Sequence, residues 1–329
     1  MSSNIMEKLD LSRTAIEEIS PSIGRLHTLV QLDLSFCSKI SEIPNEVMAC
    51  LVSLECLTLT STSIQGIPAS IKNLSRLSFL NIEKCRWLKS LPQLPPSLVR
   101  LLTANCTALE TTTSSTPGFS QDSIVRPTLD KSDVKLKENE IYVGFENCTR
   151  LDQEARNHIV AYAKLIIERV AYLSSWPEPE AETPNDLLPS ACICLPGTEI
   201  PEWFSYRTTG SSSITIQLPP AEWVTLLNNP KFLGFAFCSV ISRSSDKWNP
   251  LYEVYFGGKL VHSETCPTLR KFTEFDHVMM IYNSFLSNLL IEKWKDLFNQ
   301  CNSNHCPVME IEFRMENVTI KKFGVRIVY

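Results

Sequence analysis

Glu199 and Glu202 stand three residues apart in a stretch rich in proline and aromatics, Cys194-Leu195-Pro196-Gly197-Thr198-Glu199-Ile200-Pro201-Glu202-Trp203-Phe204. Two carboxylates on a rigid backbone are what general acid–base chemistry uses. Carboxylates in turns are more commonly solvated or capping groups, and no motif here announces a cleft. Cys301, His305 and Cys306 form a second cluster. It lacks the C-x-x-C pair of a structural zinc site. His27, His158, His262 and His277 have no paired spacing. No G-x-S-x-G nucleophile elbow occurs. Gly257-Gly258-Lys259-Leu260 lacks the spacing and hydroxyl of a phosphate loop. These residues predict no enzyme activity, no metal and no cofactor.

The segment around the two glutamates makes better sense as structure. Pro196 and Pro201 each remove a backbone donor and fix φ, which confines it to extended or turn geometry. Gly197 after Pro196 signals a turn. Trp203 and Phe204 are large apolar groups that gain by burial. A rigid corner with a buried aromatic pair, leading into alternating strands, is expected.

The totals limit the remaining classes. A chain of 329 residues has room for about two domains. Its 43% apolar and 20% charged residues are ordinary for a globular protein. The net charge of −5 is spread along the chain, so no nucleic-acid or anionic-membrane partner is expected. No apolar run is long enough to span a bilayer, and Met1 to Asp10 has no signal-peptide core. The 12 cysteines are scattered singly within apolar runs, which predicts free thiols and a cytoplasmic or nucleo-cytoplasmic protein. The N-x-[ST] sites at Asn73, Asn105, Asn147 and Asn317 carry little meaning there.

The first third repeats. Leu9-Asp10-Leu11, Leu32-Asp33-Leu34, Leu57-Thr58-Leu59 and Leu80-Asn81-Ile82 recur at a near-constant step, with a degenerate fifth copy at Leu101-Leu102-Thr103. Each unit then carries an apolar pair three apart (Ile16 and Ile19, Ile40 and Ile43, Ile64 and Ile67, Leu88 and Leu91) with proline close behind. The spacing is that of leucine-rich repeats. Leucines flanking the middle residue point into a solenoid core while the middle residue points out. Asp10, Ser12, Asp33, Ser35, Thr58, Thr60, Asn81 and Glu83 are therefore expected on a concave, partner-facing surface. Nothing before Leu9 looks like an end cap, so the chain is expected to be the tail of a longer solenoid protein or a truncated relative.

The domain layout expected is repeats over 1–110, a Thr/Ser-rich junction over 111–138 and a second domain over 139–329. In the latter, Ile141 to Phe145 reads as a strand. Thr149-Arg150-Leu151-Asp152 resembles a helix capping box. Ala155, Ile159, Ala163, Ile166 and Val170 predict an amphipathic helix over 151–173. Pro177 to Pro189 reads as an acidic loop. Alternation at Ile214, Ile216 and Leu218, at Phe235 and Phe237, at Ile311 and Phe313 and at Val318 and Ile320 predicts strands. Glu253 to Gly258 predicts a hairpin, and Leu286 to Leu297 a second helix. The fold class is an α/β leucine-rich-repeat solenoid followed by a mostly β sandwich with one or two helices.

The two halves together resemble the C-terminal region of plant intracellular immune receptors of the Toll/interleukin-1-receptor, nucleotide-binding, leucine-rich-repeat class. The resemblance rests on Asn147 to Ala155, Leu195 to Phe204, Gly210 to Pro219, Phe232 to Cys238, Asp276-His277-Val278 and Lys321 to Arg326. Its most specific part is Leu195, Pro196, Gly197, Glu199, Ile200, Pro201, Trp203 and Phe204. It implies that the second domain is a jelly-roll/Ig-like domain (C-JID), and that the partner is a pathogen effector protein or other receptor chains. The nucleotide-binding and signalling modules of that class are absent from these residues, so neither nucleotide hydrolysis nor NAD cleavage is expected. Trp248, in a polar loop, with Tyr252 and Tyr255, joins the concave residues as an expected contact. The alternative is a carbohydrate-binding or hydrolytic jelly-roll protein.

Overall fold

The computed structural model describes residues 6–113, 140–174, 190–217, 220–229, 231–243, 251–265, 275–300, 308–315 and 318–329. Two compact units are present, Met1–Glu138 with Tyr142–Tyr162, and Asn139–Ile141 with Ala163–Tyr329.

The first unit is a parallel array. Its elements are β1 (Lys8–Asp10), β2 (Gln31–Asp33), α1 (Asn45–Cys50), β3 (Cys56–Thr58), β4 (Phe79–Asn81), β5 (Ser90–Leu91), β6 (Arg100–Leu102), β7 (Thr111–Thr112) and β8 (Glu140–Gly144). Leu9, Leu32, Leu57, Leu80 and Leu101 lie in register, and Val143 follows opposite Leu101. Leu32, Leu57, Leu80 and Leu101 are buried. On the far side the prolines start short helical turns, with Pro44 capping α1 and Pro68 capping the 3-10 turn Ala69–Asn73.

A second ladder closes each coil. Arg13, Phe36, Ser61, Lys84, Asn105 and Asn147 all have positive φ. The residue after them is Thr14, Cys37, Thr62, Cys85, Cys106 or Cys148, whose hydroxyl or thiol donates to a backbone carbonyl. Cys85 Sγ bonds Leu59 O at 3.1 Å, Cys106 Sγ bonds Ile82 O at 3.0 Å and Cys148 Sγ bonds Thr103 O at 3.1 Å. Burial raises the pKa of Cys85. These thiols are structural hydrogen-bond donors on the array.

Asn147 and Cys148 show that the array has one more coil than expected. Asn147 Nδ2 donates to Asn105 Oδ1 at 3.0 Å, and β8 pairs with β6 as β6 pairs with β4. The second domain was expected to begin at 139, yet residues 142–162 group with the repeats. The strand at Ile141 to Phe145 extends the parallel array by one more coil, through its pairing with β6. Its missing leucine signature hid it.

In the second unit, α2 (Gln153–Ser174) brings in its C-terminal part. The expected stripe is buried in full at Ala155, Ile159, Ala163, Ile166 and Val170. The N-cap is Asp152, whose Oδ1 accepts from Ala155 N at 2.7 Å; Thr149, expected in a capping box, lies one turn too early. Then come β9 (Ser190–Pro196), β10 (Tyr206–Thr209), β11 (Ser213–Ile216), α3 (Pro220–Leu227), β12 (Gly234–Arg243), β13 (Leu251–Phe256), β14 (Lys259–Thr265), β15 (His277–Asn283), α4 (Ser284–Gln300), β16 (Met309–Met315) and β17 (Val318–Val328).

One antiparallel sheet runs β9-β15-β12-β17-β10 and another β11-β16-β13-β14. The sheets share an aromatic core. Phe313 of β16 lies 6.4 Å from Phe237, 5.6 Å from Phe323 and 5.4 Å from Tyr252, ring centre to ring centre. Gly257 and Gly258 both have positive φ, as a two-residue hairpin turn between β13 and β14 demands. Helix α3 was not expected; it buries Trp223 against Trp294 of α4 at 3.9 Å.

Candidate functional site

The outward column is built by parallel strands held in register by their backbone hydrogen bonds. Asp10, Asp33 and Asn81 do more than face out. Their Oδ1 atoms accept the backbone N–H of Ser12 at 2.8 Å, Ser35 at 2.8 Å and Glu83 at 3.0 Å. These are Asx turns that end each strand. The Ser12 hydroxyl and N–H together hold the Asp10 carboxyl below the usual range. Ser35 is buried at 6% exposure, so its expected role as a partner contact fails. Ser12, Asp33, Thr58, Thr60, Asn81 and Glu83 are half-buried and Asp10 is exposed.

Sequence reasoning overlooked the other outward position of each strand. Lys8, Gln31 and Cys56 share the column with Asp10, Asp33 and Thr58, a placement that two-residue alternation dictates. From the fourth coil onward the first of these two positions is buried, at Phe79, Arg100 and Tyr142, while Asn81 and Leu102 stay half-buried at the second. Both positions are accessible together only on the first three coils. Cys56 brings no reactive thiolate there, because burial, helped by Asp33, pushes its pKa up to about 11.

The loop candidates separate. Trp248 lies outside the described residues. Tyr255 is half-buried, with Arg314 stacked over its ring at 4.1 Å and its hydroxyl on Glu253 Oε2 at 2.9 Å. Tyr252 is contradicted as a contact: it is 4% exposed and stacks in the core. Positions 252 and 255 differ by an odd number, so on one strand they face opposite ways. The Tyr252 hydroxyl donates to Glu264 Oε2 at 2.6 Å, and Asn283 Nδ2 donates to the same oxygen at 3.0 Å. His262 Nε2 lies 3.3 Å away from it. Asn283 also caps α4 through Leu286 N at 2.9 Å, so this cluster fastens the β13–β14 hairpin to the start of α4. We expect Tyr252→Phe to lower stability by about 1.5 kcal/mol in urea unfolding and to leave partner binding unchanged; a binding defect without destabilisation would return Tyr252 to the interface.

The Leu195 to Phe204 corner is pinned to β17. Ile200 is buried beside Gly324, where an added Cβ would sit 3.0 Å from it. Phe204 is fully buried and Trp203 half-buried, their rings 4.1 Å apart. Arg326 Nη1 donates to Trp203 O at 2.6 Å. Glu199 is ion-paired to Lys322 at 2.6 Å with its side chain 77% exposed, and Glu202 is exposed. The two carboxylates stand in solvent on a corner and line no cleft. Leu195 and Pro196 end β9, and Gly197 N donates to Asp276 O at 3.1 Å. Cys301, His305 and Cys306 lie outside the described residues; among the described residues no group of three metal-ligating side chains occurs. No described helix is long and apolar enough to cross a membrane.

Comparison with known proteins adds a family reading. Residues 195–329 match the C-JID domain model. Disease resistance-like protein DSC1 of Arabidopsis thaliana is 29% identical over 84% of this chain and 20% of its own length. Disease resistance protein RPS4 of the same plant is 29% identical over 69% of this chain and 18% of its own. Protein SUPPRESSOR OF npr1-1, CONSTITUTIVE 1, also from Arabidopsis thaliana, is 28% identical over 98% of this chain and 22% of its own. The chain spans about a fifth of the length of the curated relatives it matches.

Proposed function

From a chain that carries a C-JID domain and is related to plant disease resistance proteins, we propose that it is the recognition region of an intracellular immune receptor. It binds a pathogen effector protein through the concave face of its first three coils and the outer loops of its C-terminal unit. The second unit is then the jelly-roll/Ig-like module, and the region does no chemistry of its own. The observation that carries this reading is the outward column Lys8, Asp10, Gln31, Asp33, Cys56 and Thr58 on in-register strands. A rigid, mixed-charge surface with prearranged side chains loses little entropy on binding a folded protein. The carboxylate pair that an enzyme or sugar-binder would have used is tied to Lys322 or left in solvent.

The test is capture of purified effectors from a defined panel by the purified chain. For an effector that binds, Thr58→Lys with Thr60→Lys should weaken affinity by about tenfold or more, with the melting temperature unchanged because both sites are half-exposed. An effector whose affinity ignores that double variant, and equally Asp33→Lys, would move the interface off the concave face.

A further inference from the structure

The coil at 84–89, Lys84-Cys85-Arg86-Trp87-Leu88-Lys89, differs from every other on the array. Trp87 is 63% exposed, the most exposed large apolar side chain among the described residues. Lys84, Arg86 and Lys89 are exposed around it. Among the described residues no ion pair or side-chain hydrogen bond holds these three cations, whereas Lys39 is paired with Glu17 and Arg150 with Glu110 on other coils. Three unpaired cations in six residues stand out in a chain of net charge −5.

The backbone that carries them is fixed. Cys85 and Leu88 are fully buried and point inward. Lys84 N donates to Ala104 O at 2.8 Å, Cys85 N to Ile82 O at 3.4 Å, Leu88 N to Cys85 O at 3.2 Å and Lys89 N to Gln65 O at 3.2 Å. The Cys85 thiol adds its bond to Leu59 O. The residue that precedes the buried apolar position is Ser63 on the coil before and Ala108 on the coil after. Both are small, so neither covers the indole. A solitary tryptophan between small neighbours, ringed by free cations on a rigid turn, has the make-up of a binding anchor.

We propose that this coil is a docking point, separate from the concave face, for an acidic polypeptide segment carrying a bulky apolar side chain. The apolar group lies on Trp87 while carboxylates engage Lys84, Arg86 and Lys89. Charge complementarity selects the occupant, and the limited number of cations decides against a polyanion. A nucleic-acid tract needs a longer row of phosphate contacts for useful affinity, and an anionic bilayer needs a broader basic face with several apolar anchors. On the coil before, the equivalent turn is neutral at Ser61, Thr62, Ser63 and Gln65; on the coil after, it is neutral at Asn105, Thr107 and Ala108 and carries one carboxylate, Glu110, which is paired with Arg150.

The experiment is a polarisation titration of the full chain with a short fluorescein-labelled peptide that alternates pairs of glutamates with phenylalanine. Lysine-for-glutamate peptide, labelled oligothymidylate and phosphatidylserine vesicles run in parallel. The glutamate peptide should bind and the others should not. Trp87→Ala, and Lys84→Glu with Arg86→Glu and Lys89→Glu, should each weaken it by about tenfold or more, and added salt should weaken wild-type binding. All these side chains are exposed, so melting temperatures should stay level, and a thermal melt on each variant checks this. Glutamate-peptide binding that ignores both variants overturns the proposal. So does oligothymidylate or vesicle binding that depends on Trp87 while the glutamate peptide does not bind.

Discussion

Gly234→Ala should lower the stability of the C-terminal unit by about 4 kcal/mol, read as a fall of roughly 10 °C in melting temperature. Two separate effects combine. Gly234 opens β12 with φ at +121°, a conformation that side chains with a Cβ rarely adopt. An added Cβ would also sit 2.5 Å from Ser287 Cβ and 2.8 Å from Ser287 Oγ. Ser287 has nowhere to go. Its hydroxyl accepts from Phe235 N at 3.2 Å and donates to Phe235 O at 3.1 Å, and it is fully buried on α4. Next to it the Tyr282 hydroxyl donates to Leu233 O at 2.7 Å, so the helix and strand meet with no slack. Two further variants separate the causes. Gly210, with φ at +74° and no atom within 4 Å of an added Cβ, should cost only about 1 kcal/mol as alanine. Ser287→Gly in the Gly234→Ala background should recover part of the loss by removing the clash. Equal melting of Gly234→Ala and Gly210→Ala would show that the close approach to α4 is not real.

Acid should destabilise the same unit through His277, beginning well above the range where exposed carboxylates titrate. His277 is fully buried on β15, opposite Pro196 of the Leu195 to Phe204 corner. Its Nδ1–H donates to Phe275 O at 2.9 Å, and its burial keeps the ring neutral near neutral pH. Burial lowers its pKa from 6.5 to about 4, against smaller upward effects from the Phe275 hydrogen bond and from Asp276. Asp276 is itself ion-paired with Lys321 at 2.8 Å. The unfolded chain therefore takes up this proton near pH 6.5 and the folded chain only near pH 4. Between those values the unfolded state binds more protons, so stability falls as pH falls. The loss grows to about 3 kcal/mol at pH 4 and is absent above the unfolded value. Protonation of paired carboxylates adds a loss of the same sign lower down, so the informative quantity is the difference from His277→Gln. That variant should be less stable than wild type at neutral pH yet show a flatter stability profile from pH 6.5 to 4.5. Parallel profiles for the two proteins would rule out the buried neutral histidine as the cause.

The repeats were legible because each coil makes its contacts with the next one, about two dozen residues on, so spacing alone carries the geometry. The sixth coil was missed for the opposite reason. Glu140 and Gly144 stand where a repeat would place leucine and a polar residue, and the Thr/Ser-rich stretch separates it from its neighbour in sequence. A signal was present in the pair Asn105-Cys106-Thr107 and Asn147-Cys148-Thr149. As N-x-T sites they looked like modification motifs. On the array they are the left-handed residue and the thiol that donates to the previous coil.

Tyr252 and Tyr255 could have been sorted by alternation alone, since Tyr252, Val254 and Phe256 share one face of β13 and are all buried. Ser35 could not. Its position matches that of the half-buried Ser12, Thr60 and Glu83, and only its burial in the folded chain sets it apart.

What the sequence by itself determined is local and periodic: the coil spacing, the helix stripe from Ala155 to Val170, the glycine hairpin and the aromatic corner at Trp203 and Phe204. Backbone geometry and burial of nearby apolar groups set these, and both are written in neighbouring residues. What only the tertiary structure decided depends on residues far apart in the chain. Glu264 gathers Tyr252 and Asn283 because a hairpin of one sheet meets the end of a strand of the other. Gly234 is constrained by a serine 53 positions later. Trp87 stands uncovered on a coil whose neighbours carry the small residues Ser63 and Ala108 at the matching place. Such neighbours are chosen by long-range pairing, whose energy appears only once the whole chain has closed on itself.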